Sequence, residues 1–172
     1  MSKPNSFEIL ANSMAKDWAK QCEELIRTWD EYKGFKLSTF KLDWSPRRVS
    51  SRGGWYNGPG INIGMSPATR HRQEGSVYRQ YEYPSYDSDP VIGGFYSISL
   101  VHSVGLHVCH EMAHAVQYYA DRVLNKKMDK PHGESFKIPY REIRVNLLNP
   151  TLGSVKYQEV LKNEYKKLCT FK

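Results

Sequence analysis

The sequence predicts a single α+β domain in which a small antiparallel sheet packs on a long central helix, with further helices at both ends. Three observations lead to this prediction. The chain of 172 residues suits one compact core. Its composition, 40% hydrophobic and 25% charged, is typical of a globular protein. Segments with apolar residues at three- and four-residue steps flank a segment in which apolar and polar residues alternate.

The N-terminal third predicts one helix followed by the sheet. Residues 5–33 carry apolar side chains at helical spacing, beginning with Phe7 and Leu10, and Asn5 with Glu8 fits a capping box at the start. Residues 36–66 lose this period and contain turn residues and short alternating runs, the last of them at 61–65. We therefore expect a small antiparallel sheet there.

A Tyr-rich stretch, residues 67–96, separates the sheet from the following helices. It contains five tyrosines and three arginines with Pro, Gly and Ser between them, and it predicts an irregular connection with one strand near 77–83. Helical periodicity returns at 97–124, and a second apolar stripe runs from 136 to 147. A last helix is expected over 154–168, with a serine as its N-cap.

Charge and cysteine content restrict the partners and the compartment. The formal charge of +7 and the pI of about 9.2 favour polyanionic partners, nucleic acid first. Cys22, Cys109 and Cys169 are odd in number and far apart, which predicts neither a disulfide framework nor a zinc ribbon and suits a reducing cytoplasm. No signal peptide and no run of about 20 apolar residues is evident. We expect a cytoplasmic monomer that does not contact a membrane.

The segment VCHEMAHAVQ, residues 108–117, carries the strongest chemical signal. On a helix, His110 and His114 lie one turn apart on one face, so both imidazoles can bind one metal ion. Zn²⁺ prefers four ligands, and catalytic sites keep one position for water. Glu111 would lie beside that water and take its proton. The motif therefore predicts one catalytic zinc ion per chain, with Glu111 as general base.

A third zinc ligand must come from elsewhere in the chain. His132 is favoured because it follows the motif by 18 residues, enough for the helix to end and a loop to return. His107 and Glu134 remain alternatives, although three ligands on one straight helix would spread over about two turns. No metal role is expected for His71 or His102.

The run HEMAH followed by PHGESFK resembles the SprT-like, or Spartan, family of zinc metallopeptidases. That family has H-E-x-x-H, a short loop, then H-G with an aromatic residue and a lysine soon after. Here these positions are His110, Glu111, His114, His132, Gly133, Phe136 and Lys137. Upstream, LDWSPRRVSSRGGWY and INIGMS are similar to the hairpin and short strand of the family. The resemblance covers about residues 38–148.

The resemblance implies a zincin-like fold, three histidine ligands, a glutamate base, and DNA-dependent cleavage of proteins bound or crosslinked to DNA. One metallopeptidase domain would span residues 1–172, with its core at about 36–148. Many members carry a four-cysteine zinc ribbon after the protease domain, and this chain has none. Residues 67–96 resemble an insertion. The compact size would suit a phage-encoded member, which would place the protein in the host cytoplasm.

The strand at 61–65 is the predicted substrate site. In zincins the edge strand above the motif helix commonly pairs with an extended peptide by strand addition. Ile61, Asn62 and Ile63 are therefore expected to bind a protein or peptide substrate. An ordinary edge strand turned to solvent fits the same pattern.

Basic and aromatic residues interleave just upstream of that strand, a pattern typical of grooves that hold single-stranded nucleic acid. A solvated basic face with aromatic residues packed beneath it is the alternative. The residues expected to bind single-stranded DNA are Arg47, Arg48, Arg52 and Trp55.

Two other functions fit the same residues. One is a zinc-stabilised DNA-binding or interaction module with little peptidase activity, and the other is a zinc hydrolase acting on a non-protein amide. Glu111 argues against the module, because structural zinc sites usually complete their shell with a fourth protein ligand. Tyr140, Arg141 and His107 remain open as the residue that stabilises the oxyanion.

Overall fold

The computed structural model describes residues 5–45, 51–69 and 76–170, with the backbone alone for residues 67 and 68. It is a mixed α+β structure, as predicted. A three-stranded sheet, a two-stranded sheet and several helices surround one long central helix. The elements are α1 (Ser6–Ile26), β1 (Thr39–Asp43), β2 (Arg52–Trp55), β3 (Pro59–Gly64), α2 (Met65–Thr69), β4 (Tyr78–Gln80), β5 (Phe95–Ser97), α3 (Leu100–Arg122), α4 (Glu134–Ile143), α5 (Asn149–Thr151) and α6 (Val155–Thr170).

Helix α3 is the centre of the fold. It runs over 23 residues, close to the predicted 97–124, and its residues from Ser103 to Gln117 are almost all buried. This burial results from contacts on three sides, with α1, with α4, and with strands β2 and β3. The helix therefore holds its polar motif residues inside the protein.

Helix α1 begins at the predicted capping box and ends at Ile26, seven residues before the predicted end at 33. A 3₁₀ turn, Asp30–Tyr32, follows it. The face that packs on α3 also differs from the predicted stripe, because Phe7 and Leu10 are 39% and 51% exposed. The buried residues of α1 are Ala11, Ala15, Trp18, Ala19, Cys22 and Ile26.

The close contact between α1 and α3 explains why small residues are buried there. The Trp18 ring lies over Gly105, where an added Cβ would come within 2.6 Å of the ring. The Trp18 indole also donates a hydrogen bond to the Val101 carbonyl at 3.0 Å. Small side chains on both helices allow this approach.

The three-stranded sheet is mixed, so the prediction of a wholly antiparallel sheet is wrong. Its order is β1–β3–β2, with β3 antiparallel to β2 and parallel to β1. The turn at Asn57 (φ 58°) and Gly58 (φ 143°) folds β2 back on one side of β3. The other side of β3 then remains for β1, which runs in the same direction as β3.

The prediction that residues 61–65 form an edge strand is also wrong. Ile61 pairs with Phe40 of β1 and Gly53 of β2, and Asn62 is likewise paired on both sides. Ile63, paired with β1, is fully buried. Substrate therefore cannot add to Ile61, Asn62 and Ile63 as a new strand, and β2 is the edge strand that lies on α3.

The Tyr-rich stretch contains more regular structure than the sequence predicts. Strand β4 lies within the predicted 77–83 and pairs antiparallel with β5, which brings residues 78–80 against 95–97. A 3₁₀ turn, Pro84–Tyr86, lies between them. The side chain of Gln158 in α6 forms two hydrogen bonds with the backbone of Tyr96 in β5. Its Oε1 accepts from the Tyr96 N–H, and its Nε2 donates to the Tyr96 carbonyl.

The C-terminal helices complete the core. Helix α4 contains Pro139 and continues into a π-helical turn, Arg144–Leu148, before α5. Helix α6 covers nearly the predicted 154–168. Among the described residues, no helix combines the length and the apolar character that a bilayer-spanning segment requires.

Candidate metal centre

Three histidines predicted as ligands converge in the structure. His110 and His114 lie on α3, and His132 comes from the loop before α4. The Nε2 atom of His132 is 3.3 Å from Nε2 of His110 and 3.0 Å from Nε2 of His114. All three ligand atoms lie within 4.8 Å of one another, close enough to bind one metal ion. The α3–α4 packing brings His132 to this point.

Two of the imidazoles have an oxygen atom facing their second nitrogen. Nδ1 of His110 lies 3.3 Å from Oε2 of Glu82, and Nδ1 of His114 lies 3.3 Å from Oε1 of Gln117. Gln117 is itself fixed, because its amide donates to the Lys130 carbonyl and to Ser135 Oγ. An acceptor at Nδ1 favours the tautomer whose Nε2 lone pair is free to bind a metal.

The electrostatics of the three histidines differ. Burial, together with the neighbouring His110, lowers the pKa of His114 to about 3. Burial and His110 also lower the pKa of His132. Burial alone would lower the pKa of His110, but the hydrogen bond and charge of Glu82 outweigh it and raise this pKa. His114 and His132 are therefore neutral near pH 7, as metal ligation requires.

Glu111, the predicted general base, is buried beside the histidines. It lines a cleft of about 700 Å³ together with all three imidazoles. Its Oε2 accepts a hydrogen bond from the backbone amide of Gly53 on β2. Burial raises the pKa of Glu111, and the nearby Glu82 charge adds to this, whereas His110 and the Gly53 amide act in the opposite direction. A raised pKa suits a carboxylate that must accept a proton near neutral pH.

Sequence reasoning missed Glu82, which follows β4 inside the Tyr-rich stretch. Its side chain is only 4% exposed. Besides facing His110, it accepts a hydrogen bond from the Tyr140 hydroxyl and lies 3.5 Å from the Arg144 guanidinium. Periodicity offered no signal for this role, because the segment is irregular. The motif YEY, a single acid between two tyrosines, was the only local feature.

The alternative ligands lie outside the histidine cluster. The His107 imidazole has Nδ1 2.9 Å from the Ser103 carbonyl one turn earlier on α3. Glu134 is exposed and pairs with Lys137 at 3.1 Å. Neither belongs to the group of convergent ligand atoms found among the described residues. His102 is also absent from that group, and His71 lies outside the described residues.

The three residues left open for oxyanion stabilisation occupy different environments. Tyr140 is fully buried and its hydroxyl is used by Glu82. Arg141 pairs with Asp89 and is not among the residues that line the two clefts beside the histidines. His107 lines a second cleft of about 330 Å³ that also reaches Glu111. The geometry therefore favours His107 among the three.

The aromatic ring of Tyr83 lies against the metal centre. Its centroid is 4.1 Å from that of His132 and 5.6 Å from that of His110. Tyr83 lines both clefts beside the histidines and is 43% exposed. It therefore forms the boundary between the two clefts at the candidate metal centre.

The structure describes two of the four residues that we expect to bind DNA. Arg52 and Trp55 are exposed on β2 and line the larger cleft, next to Tyr56. Arg47 and Arg48 lie outside the described residues. Strand β2 and the residue that follows it therefore bring one basic and two aromatic side chains to the cleft that holds the histidines.

Comparison with known proteins adds no relative. The chain matches no protein-family model, no curated protein and no solved structure. The resemblance to the SprT-like family rests on the short segments HEMAH and PHGESFK and on the looser upstream hairpin. The chemical possibilities of the site follow from its own side chains: three convergent imidazoles, a buried carboxylate and an open cleft.

Proposed function

We propose that this protein is a zinc-dependent endopeptidase of the SprT-like type with a zincin-like fold. One observation carries the proposal: three imidazole Nε2 atoms converge in the same cleft as the buried carboxylate of Glu111. Tetrahedral zinc with bonds of about 2.0–2.1 Å requires nitrogen atoms about 3.3–3.4 Å apart. The separations from His132 Nε2, 3.3 Å to His110 and 3.0 Å to His114, are close to this spacing.

The chain's own residues would share the chemistry as follows. Bound zinc would polarise the substrate carbonyl and make a bound water molecule more acidic. Glu111 would act as the general base that takes a proton from the attacking water and returns it to the leaving amine. The Gly53 amide holds Oε2 of Glu111 in place. His107, at the wall of the adjoining cleft, is the candidate to stabilise the oxyanion.

The substrate would bind along β2 rather than β3. Strand β2 forms the edge of the sheet, and its residues line the cleft beside the histidines. An extended peptide can therefore add to β2 as a further strand, held by main-chain groups other than the Gly53 amide, which Glu111 already uses. This assignment replaces Ile61, Asn62 and Ile63 with residues of Arg52–Trp55.

DNA dependence is the second element of the proposal. Arg52, Trp55 and Tyr56 supply positive charge and aromatic surface at the cleft rim, and the last two are 39% and 41% exposed. Single-stranded DNA can bind such a surface through its phosphates and through base stacking. Its affinity should then fall steeply as salt rises. DNA-bound or DNA-crosslinked proteins are the substrates that would reach this cleft.

The deciding experiment is cleavage of casein or histone by purified protein, with and without single-stranded DNA, beside Glu111→Gln. The proposal expects DNA-stimulated cleavage by the unaltered protein and a loss on the order of 100-fold or more in the variant. Zinc content should remain at one ion per chain in both, since Glu111 is not a ligand. Equal cleavage by both proteins would contradict the role of Glu111.

The alternative is a zinc-stabilised DNA-binding or interaction module with little peptidase activity. The basic and aromatic rim of the cleft is the observation that favours it. The same experiment separates the two functions. One zinc ion and DNA binding without cleavage of any protein would support the module, and would leave the burial of Glu111 without a catalytic explanation. A zinc hydrolase acting on a non-protein amide would likewise spare casein and histone, but Glu111→Gln would abolish its activity.

A further inference from the structure

We propose that Glu82 is a positioning residue of the metal centre, which fixes the His110 ring and strengthens His110 as a ligand. The inference rests on the proposed binding of zinc by the three histidines, but not on peptidase activity. It also gives the Tyr-rich stretch a defined task, because that stretch supplies Glu82 to a site otherwise built from α3 and the loop before α4.

The contacts of Glu82 divide between its two carboxylate oxygens. Oε2 lies 3.3 Å from Nδ1 of His110. Oε1 accepts from the Tyr140 hydroxyl and lies 3.5 Å from Nη1 of Arg144. One oxygen therefore faces the metal ligand, and the other joins the carboxylate to the segment that continues α4.

Burial makes this arrangement costly unless every charge is compensated. The side chains of Glu82 and Arg144 are 4% and 2% exposed. A buried carboxylate without a partner would be strongly destabilising. Arg144 supplies the opposite charge, and its remaining donors bind Asn149 Oδ1 at 2.8 Å, the Gly93 carbonyl at 3.1 Å and the Tyr140 hydroxyl at 3.1 Å.

The contact between Glu82 and His110 sets the orientation of the imidazole ring. Oε2 of Glu82 faces Nδ1, which leaves Nε2 directed at the other two histidines. The imidazole can donate its Nδ1 hydrogen to Oε2 and present the Nε2 lone pair to the metal. A carboxylate in this position makes the ligand nitrogen more basic and fixes the plane of the ring.

Glutamine cannot reproduce these contacts, although it has nearly the same shape. Its amide has one oxygen and one NH₂ group. If the oxygen faces His110, the NH₂ group meets the Arg144 guanidinium, and if it faces Arg144, the NH₂ group meets the Nδ1 hydrogen. One acceptor is lost in either orientation.

The test measures zinc affinity by competition with a chelator at pH 7.5 for the unaltered protein, Glu82→Gln and Glu142→Gln. Glu142 is an exposed acid on the same helix as Tyr140, so its variant controls for the loss of one charge. We expect Glu82→Gln to weaken zinc binding about 10- to 100-fold, with Glu142→Gln unchanged. The visible absorption spectrum of Co²⁺-substituted Glu82→Gln should also differ from that of the Co²⁺-substituted unaltered protein.

A purely structural role would have a different signature. It would lower the denaturant midpoint of the metal-free protein while the folded variant still bound zinc normally, and that result would overturn the proposal. If Glu82→Gln fails to fold, Glu82→Asp replaces it, because the shorter side chain keeps the buried negative charge that Arg144 balances but lengthens the distance to His110. Zinc affinity equal to that of the unaltered protein in a folded Glu82→Asp variant would also overturn the proposal.

Failure of the proposed enzyme and failure of this inference can be told apart. An unaltered protein that binds no zinc would overturn the metal centre and the role of Glu82 together. An unaltered protein that binds zinc but cleaves nothing, with weaker binding in Glu82→Gln, would support the role of Glu82 and contradict only the peptidase. In zinc-loaded protein labelled with ¹⁵N, the His110 Nδ1–H signal should be protected from exchange and should lose that protection in Glu82→Gln.

Discussion

The backbone amide of Gly53 donates a hydrogen bond to the carboxylate of Glu111, across 58 positions of sequence. The contact joins the edge strand β2 to the helix that carries two of the candidate ligands. It requires glycine, because a Cβ at position 53 would lie 2.2 Å from the Glu111 carbonyl oxygen and 2.6 Å from Cβ of His114. The position of β2 therefore determines how the candidate base is held against the histidines.

Gly53→Ala should damage the site, and Gly54→Ala should not. At Gly53 the methyl group meets backbone and Cβ atoms that cannot rotate away, so β2 must shift, at a cost of about 1–3 kcal/mol. At Gly54 the nearest atom is 3.5 Å away on the Tyr56 ring, an ordinary contact. Urea unfolding of the metal-free proteins and zinc titration would measure both effects. Equal behaviour of the two variants would mean that β2 does not pack on α3 as described.

His132→Ala should remove the metal, whereas Glu134→Gln should retain it. Loss of one of three ligands weakens zinc binding on the order of 100-fold or more. Glu134 is exposed and lies outside the ligand cluster, so its variant should bind one zinc ion per chain. The zinc content of both variants would be measured after incubation with a chelator and removal of the chelator by gel filtration. A zinc-free Glu134→Gln together with a zinc-loaded His132→Ala would assign the third ligand to the carboxylate.

Asp89 should stabilise the protein above pH 4 and lose that effect in acid. Burial disfavours the charged carboxylate, but the amides of Ile92 and Val91 and the Arg141 guanidinium outweigh this and lower the pKa of Asp89. A lowered pKa gives stability that is fully present above the unfolded value of about 3.9 and is lost as the pH falls through the folded value.

Asp89→Asn should therefore lower the unfolding free energy of the metal-free protein by about 1–3 kcal/mol at pH 7. The difference from the unaltered protein should shrink as the pH falls below about 4. Asp30→Asn is the control, because that side chain is 94% exposed and its change should cost less than about 0.5 kcal/mol. A difference for Asp89→Asn that stays constant from pH 7 to pH 3 would contradict the prediction.

Of the three thiols, Cys169 alone should react quickly with a thiol reagent in the native protein. Cys22 and Cys109 are fully buried with their Sγ atoms 3.8 Å apart, and their contact, together with burial, raises the pKa of Cys22. Thiolates are the reactive form, so both buried thiols should react slower than Cys169 by a factor on the order of 100 or more. Cys169→Ser should abolish the fast phase. Two fast thiols in the unaltered protein would show that α1 and α3 separate readily.

Local patterns were sufficient for α3 and its motif. The apolar stripe marked the helix within three residues of its observed ends, and the four-residue spacing placed His110 and His114 on one face. The same approach misjudged α1, because it counted large residues such as Phe7 and Leu10. The buried face instead begins at Ala11 and includes Trp18, whose ring occupies the space over Gly105.

Non-local pairing was beyond these patterns. Alternation of apolar residues in β3 looks the same in an edge strand and in a central strand, and only the approach of β1 from another segment distinguishes them. The role of Glu82 depends likewise on Arg144 and His110, which lie far away in sequence. No window of neighbouring residues contains that information.

The residues of the candidate metal centre come from distant parts of the sequence, and this has a consequence for how the chain folds. The site needs the contact between Gly53 and Glu111, 58 positions apart, and the contact between His110 and His132, 22 positions apart. Closing such loops costs chain entropy before their contacts stabilise anything, so these contacts form slowly. We therefore expect refolding chains to form α3 early and to acquire tight metal binding late. The rate at which the refolding protein takes zinc from a coloured chelator would then equal the rate of the last folding step, and not that of the first collapse.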